Sequence, residues 1–192
     1  MTPYVDAPRF GRVVTAMVTP FDFAGALDLG AAVELARWLA DHGSDGLVLS
    51  GSTGESSVLT DEEKTDLWRA VAEAVTIPVI AGSGSNDTEH SVKMTALAAE
   101  CGVDGVLLVT PYYNRPSQVG INEHFRAVAA AAGDLPVILY DIPVRAGRRI
   151  AAPTILQLAR EVPNIVALKD AAADPAGTAH LAAQEDDPHR CG

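Results

Sequence analysis

The chain has 192 residues, 48% of them hydrophobic and 20% charged, a balance that supplies a buried core for one globular domain and argues against a disordered chain. Lys and Arg number 14 against 25 Asp and Glu, a formal net charge of −11, which argues against a nonspecific nucleic-acid or anionic-membrane surface and requires any anionic ligand to meet a locally positive pocket. The two cysteines, Cys101 and Cys191, have neither CxxC nor Cys/His spacing, so they read as reduced thiols and not as zinc ligands.

Met1 to Phe10 contains no basic region followed by an apolar one, and no apolar run approaches the roughly 20 residues of a membrane span. The expectation is a cytoplasmic protein with no membrane partner. Short runs rich in Val, Leu and Ile recur at 13–18, 46–49, 78–81, 105–109, 136–140 and 165–168, the pattern of strands buried on both faces. Between them, Ala-rich segments at 29–40, 61–75, 88–100, 122–132 and 153–160 have helical spacing. Thr60 ahead of Asp61, Glu62 and Glu63 has the spacing of a capping box, and Pro153 suits a first helical turn.

Six strand–helix units at intervals of about 30 residues imply parallel strands joined by right-handed crossovers, either as a doubly wound sheet or as a (β/α)8 barrel. Periodicity alone leaves both open. The chemically distinctive residues favour the barrel, because they follow the carboxyl ends of several strands, where barrel active sites lie.

The first such segment, Gly51-Ser52-Thr53-Gly54-Glu55, follows the second strand; its small residues can present backbone N–H groups to a carboxylate or phosphate, or form only a turn. No Gly-Lys-Ser/Thr follows it, and Gly82-Ser83-Gly84 lacks the third glycine of a dinucleotide fingerprint, so nucleotide binding is disfavoured. Tyr112, Tyr113 and Tyr140 are three of the four tyrosines and all follow or end strands, as core packing or as proton carriers. A phenol hydrogen-bonded to a hydroxyl such as Thr53 can shuttle protons, and Arg145 can clamp a carboxylate bidentately.

Lys169 ends the apolar run Ile165-Val166-Ala167-Leu168, where an ammonium is costly unless paired or neutralised. Asp170 next door offers a structural ion pair. Desolvation instead lowers an amine from its usual value near 10.4 and makes it a nucleophile. The residue itself is compatible with both.

Taken together, Gly51-Ser-Thr-Gly-Glu55, Thr110-Pro-Tyr-Tyr-Asn114, Tyr140-Asp-Ile-Pro143 with Arg145, and Leu168-Lys-Asp170 resemble the dihydrodipicolinate synthases, pyruvate-dependent class I aldolases on a (β/α)8 barrel, over residues 10 to 175. The resemblance implies that Lys169 forms an imine with pyruvate and that Tyr140 is the central acid and base. It implies that Thr53 and Tyr113 complete a proton relay, the Tyr113 counterpart being lent across a subunit interface of a homo-oligomer, dimer or tetramer. It further implies that the Ser52–Thr53 backbone holds the pyruvate carboxylate and that Arg145 receives the carboxylate of aspartate semialdehyde. No metal or cofactor beyond the covalent imine is implied, and the product would be 4-hydroxy-tetrahydrodipicolinate, feeding lysine and diaminopimelate synthesis.

Ser52 is common in the sialic-acid lyases of the same wider family, so another pyruvate aldolase is the alternative enzyme; Arg145 favours the biosynthetic branch. Positions matching the allosteric lysine site of some members carry Asp61, Lys64 and His90 in place of two histidines and a glutamate, although Asn86 fits, an expectation against lysine feedback. The family pattern continues through two further strand–helix units. The expectation is therefore an incomplete TIM barrel of about six βα units over residues 1–183, its first and sixth strands left as edges, followed by a polar tail, 184–192, beyond the fading of the resemblance after Asp174. From other classes, a non-catalytic truncated remnant and a flavodoxin-like binding module are the competing readings.

Overall fold

The computed structural model describes residues 8–184; Cys191 and residues 185–192 of the expected tail lie outside them, as do residues 1–7. Six parallel strands, β1 (Val14–Ala16), β2 (Gly46–Leu49), β3 (Val79–Gly82), β4 (Gly105–Val109), β5 (Val137–Asp141) and β6 (Ile165–Asp170), form one sheet in the order of the chain. Sequential neighbours throughout are the order of a barrel wall. A doubly wound sheet reverses its strand order at a switch point, so the flavodoxin-like alternative is excluded. The wall is open: among the described residues β1 pairs only with β2, and β6 only with β5.

The crossover helices are α1 (Leu29–Asp41), α2 (Asp61–Ala74), α3 (Thr88–Glu100), α4 (Gln118–Ala131) and α6 (Ala152–Glu161), with a short α5 (Pro143–Ala146) after β5 and α7 (Pro175–Ala182) after β6. Their starts follow from capping chemistry. Asp28, Asp87 and Asp174 accept from backbone N–H groups of the first turns of α1, α3 and α7, and Thr60 with Glu63 forms the anticipated capping box of α2. Pro153 stands in the first turn of α6. Helix α4 begins four residues earlier than its apolar spacing suggests, because Ser117 accepts from the Gly120 N–H and so extends the helix through Gln118. No helix among the described residues is long and apolar enough to cross a membrane.

Alternation along the strands sorts the apolar side chains into two layers. Between sheet and helices lies the larger core, with Trp68 and Phe125 its largest fully buried side chains. On the concave face a smaller cluster gathers Val48, Ile80, Leu107, Ile138 and Tyr140 around Phe10. Phe10 stops the amino-terminal end of this interior. Its ring lies so close to Gly105 that a Cβ there would sit 2.9 Å from Cζ, and a Cβ on Gly46 would sit 2.9 Å from the Phe10 carbonyl. With that end filled, the free space of the interior lies at the carboxyl ends of the strands.

Candidate active site

The loop after β2 is pinned at both ends. Ser50 is buried and takes φ +47°, turning the chain out of the strand. At the other end Thr19 Oγ1 donates to the Gly54 carbonyl at 2.7 Å. Ser52 and Thr53 are exposed between these two points.

After β4, Thr110 Oγ1 donates to the Tyr140 carbonyl at 3.1 Å, tying the Thr110-Pro-Tyr-Tyr segment to β5. The two tyrosines then diverge. Tyr112 lines the interior cavity, whereas Tyr113 takes φ +69° and is 88% exposed, away from this chain's own cavity. Beyond β5, α5 ends on Gly147 at φ +71° and carries Arg145 to the cavity rim. The next residues are held by Asp141, which is 2% exposed; it accepts from the Ile150 N–H at 3.1 Å and faces Arg149, which pairs with Asp174 at 2.8 Å. Burial raises the Asp141 carboxyl above the ordinary value, against the opposing pull of the Ile150 hydrogen bond and Arg149.

Lys169 depends on an irregularity in β6. Val137 pairs with Ile165, but Ile138 pairs with Ala167, leaving Val166 without a partner on β5. This β-bulge changes which face the following residues occupy. Ile165 packs in the outer core with Val137, while Ala167 joins the inner cluster with Ile138. Lys169 therefore falls opposite Tyr140 on the inner face, its Nζ 4.3 Å from the centroid of the phenol ring. Burial lowers the lysine pKa. Asp170 is not its partner: it points to the other face, accepting from Thr178 Oγ1 and the Ala172 N–H. Among the described residues Lys169 has no ion pair, and of the two readings open in the sequence the salt-bridged one is excluded.

These elements enclose a cavity of about 390 Å³ whose walls include Ser52, Tyr112, Tyr140 and Arg145, within the size range of small-molecule sites. Arg145 at the rim makes it locally positive in an acidic chain, while Lys169 lies behind the Tyr140 ring and is not itself one of the lining residues. Thr53 and Tyr113 do not line it, and neither side chain hydrogen-bonds to Tyr140 among the described residues. Sequence reasoning did not single out Ser56 and Ser57, which also line the cavity; they occupy a 3-10 turn, Ser56–Val58, that no sequence signal marks. Elsewhere, Asp61 is already engaged, with His90 Nε2 at 2.7 Å and Lys93 Nζ at 2.9 Å.

The Dihydrodipicolinate synthetase family matches residues 9–188, well past Asp174, so the likeness extends further than the quoted motifs. The chain is 55% identical over 168 residues to a 4-hydroxy-tetrahydrodipicolinate synthase of Moorella thermoacetica, covering 86% of this chain and 57% of that protein. It is 51% identical over 188 residues to one of Acidothermus cellulolyticus, covering 97% and 60%. Among solved structures, a dihydrodipicolinate synthase of Bacillus anthracis superposes with a TM-score of 0.91 at 44% identity, covering 95% of this chain and 62% of that one. The lysine-bound enzyme of Cyanidioschyzon merolae gives a TM-score of 0.88 at 49% identity, covering 90% and 59%. The chain thus spans less than two thirds of the length of these relatives, and its six strands form part of the barrel wall that they share. With a match over nearly all of its length and the same wall of strands, the chain belongs to the dihydrodipicolinate synthetase family.

Proposed function

We propose that this chain carries the pyruvate-binding wall of a class I carbon–carbon lyase, which condenses pyruvate with aspartate semialdehyde to give 4-hydroxy-tetrahydrodipicolinate in the cytoplasm. One observation carries the reading: Lys169 is half-buried, lacks an ion-pair partner among the described residues and lies against Tyr140 at the carboxyl end of the wall.

A neutral Lys169 Nζ attacks C2 of pyruvate, and the carbonyl oxygen, taking one proton from the nitrogen and one from a general acid, departs as water to leave a protonated imine. Loss of a C3 proton gives an enamine, whose C3 attacks the aldehyde carbon of the second substrate. The amino group of that substrate then displaces Lys169 from C2, closing the ring and returning the amine. No metal or added cofactor enters this sequence. Tyr140 is placed to move protons at the carbinolamine oxygen, and backbone N–H groups of Ser52 and Thr53 would hold the pyruvate carboxylate. Arg145 is suited to the carboxylate of the semialdehyde. Tyr113, exposed and turned outward, fits a role across an interface in a homo-oligomer, where with Thr53 it would complete the relay to Tyr140.

The test is pyruvate with borohydride, which reduces an imine to a stable adduct. The chain has three lysines, Lys64, Lys93 and Lys169. Lys93 is tied to Asp61, and Lys64 is half-buried with a pKa lowered mainly by burial, so it serves as an internal comparison. Peptide mass analysis is expected to place the adduct on Lys169 alone; an adduct on Lys64 in its place, or none, would remove the reading. Turnover with aspartate semialdehyde, and none with sugar aldehydes, separates the synthase from the other pyruvate aldolases.

A further inference from the structure

Ser50 is 1% exposed and its φ is +47°. A non-glycine residue in the left-handed region is strained and persists where its surroundings over-determine it. Three contacts, from α2 and β3, supply that constraint. Trp68 of α2, fully buried, donates its indole N–H to Ser50 Oγ at 2.8 Å. The same hydroxyl donates to the carbonyl of Gly82, the last residue of β3, at 3.3 Å. At Gly82 a Cβ would fall 2.5 Å from the Ser50 carbonyl oxygen, so the close approach of the two backbones requires glycine there.

An extended conformation at Ser50 would carry β2 straight on. The left-handed turn swings the chain across the strand ends instead, and the hydroxyl, accepting one hydrogen bond and donating another, fixes that turn to both the helix layer and the neighbouring strand. The far end of the loop is equally confined: a Cβ on Gly54 would lie 3.0 Å from the Met17 carbonyl and 3.1 Å from the Ser50 N. Residues 51 to 53 have little freedom between these points.

We propose that Ser50 is a positioning residue for anion recognition: the chain Trp68–Ser50–Gly82 sets the direction in which the Ser52 and Thr53 N–H groups face a bound carboxylate. The inference rests on the pyruvate reading given above. Its signature is a change in pyruvate affinity without a change in the chemistry at Lys169.

The experiment measures borohydride trapping on Lys169 against pyruvate concentration in the parent, Ser50→Ala, Trp68→Phe and the double variant, each with its thermal midpoint. Leu158→Ala, a fully buried site in the outer core remote from the loop, serves as a control for destabilisation alone. Loss of one buried hydrogen bond corresponds to about a tenfold rise in half-saturating pyruvate. Ser50→Ala and Trp68→Phe are each expected to show that rise, the double variant no more than Ser50→Ala alone, and all to reach the parent's yield at saturation, while Leu158→Ala keeps the parent's half-saturation. Should Ser50→Ala not fold, Trp68→Phe, which keeps an aromatic ring while removing the donor and some buried volume, carries the test, the volume loss being controlled by Leu158→Ala. Unchanged half-saturation in the folded variants, or an equal shift in Leu158→Ala, overturns the assignment and leaves the pyruvate reading standing. A parent that forms no adduct overturns the pyruvate reading and this assignment together.

Discussion

Lys169 and Tyr140 are direct partners across the β5–β6 ladder, and the amine nitrogen lies 4.3 Å from the centroid of the phenol ring. The ring shields one side of the amine from water, and among the described residues no carboxylate offsets the loss of hydration. Burial thereby lowers the amine's pKa and raises the share of its neutral, nucleophilic form, although the π face of the ring attracts the ammonium.

Lys169→Arg keeps a cation against the ring but has no amine able to form the imine, and adduct formation with pyruvate should fall to background. In the parent, burial lowers the Lys169 pKa, so the trapping rate should rise with pH and level off below the ordinary lysine value of about 10.4. Rates from single-turnover trapping across a pH series check both.

Tyr140→Phe retains the ring and its packing and deletes the hydroxyl. Stability should change by less than about 1 kcal/mol, while turnover drops by roughly 10²- to 10⁴-fold, the usual worth of a positioned acid or base. Steady-state kinetics beside urea unfolding distinguish a lost proton carrier from a lost fold.

Phe10 stops the closed end of the interior, 8% exposed and packed against Gly46 and Gly105. Phe10→Ala should cost about 3 kcal/mol through lost transfer energy and the cavity left behind, read as a lower urea midpoint at unchanged slope. Because this end is remote from Lys169, the adduct should form on whatever fraction remains folded.

His124 is buried in α4, with Nδ1 2.8 Å from Thr88 Oγ1 and Nε2 without a partner among the described residues. Burial lowers its pKa from 6.5 to about 4, against a weaker opposing pull from Asp87. The unfolded chain therefore takes up this proton first. The His124 contribution to stability is complete above the unfolded value, declines as pH falls from about 6.5 to about 4, and levels off below that, amounting to at most ~3 kcal/mol. Urea midpoints of the parent against His124→Gln over this window isolate it, since the carboxylates are common to both.

Much of the wall is legible in the amino-acid sequence alone. The runs at 46–49 and 105–109 coincide with β2 and β4, and the helix at 88–100 with α3, because buried parallel strands are continuous apolar runs and because Asp87 marks the helix start with a local hydrogen bond. The chemical segments around Ser52, Tyr112, Tyr140 and Lys169 are legible too, since each directly follows or ends such a run. Less is legible where backbone turns are set by contacts between elements. Ser50 is left-handed because Trp68 and Gly82 hold it there, and Tyr113 points outward because its φ is positive; nothing in their local sequence encodes either.

The face occupied by Lys169 is the clearest division. Composition and order placed an amine at the end of the sixth apolar run, in a chain whose other runs are followed by tyrosines and an arginine. Strict alternation from Ile165, which packs in the outer core, would put Lys169 outward beneath the helices and turn Asp170 toward Tyr140. Only the pairing of β6 with β5, with Val166 bulged out of the ladder, brings Lys169 to the interior. A side-chain period of two makes facing depend on register, and register is a contact between segments about 28 residues apart in sequence, which no local pattern can set.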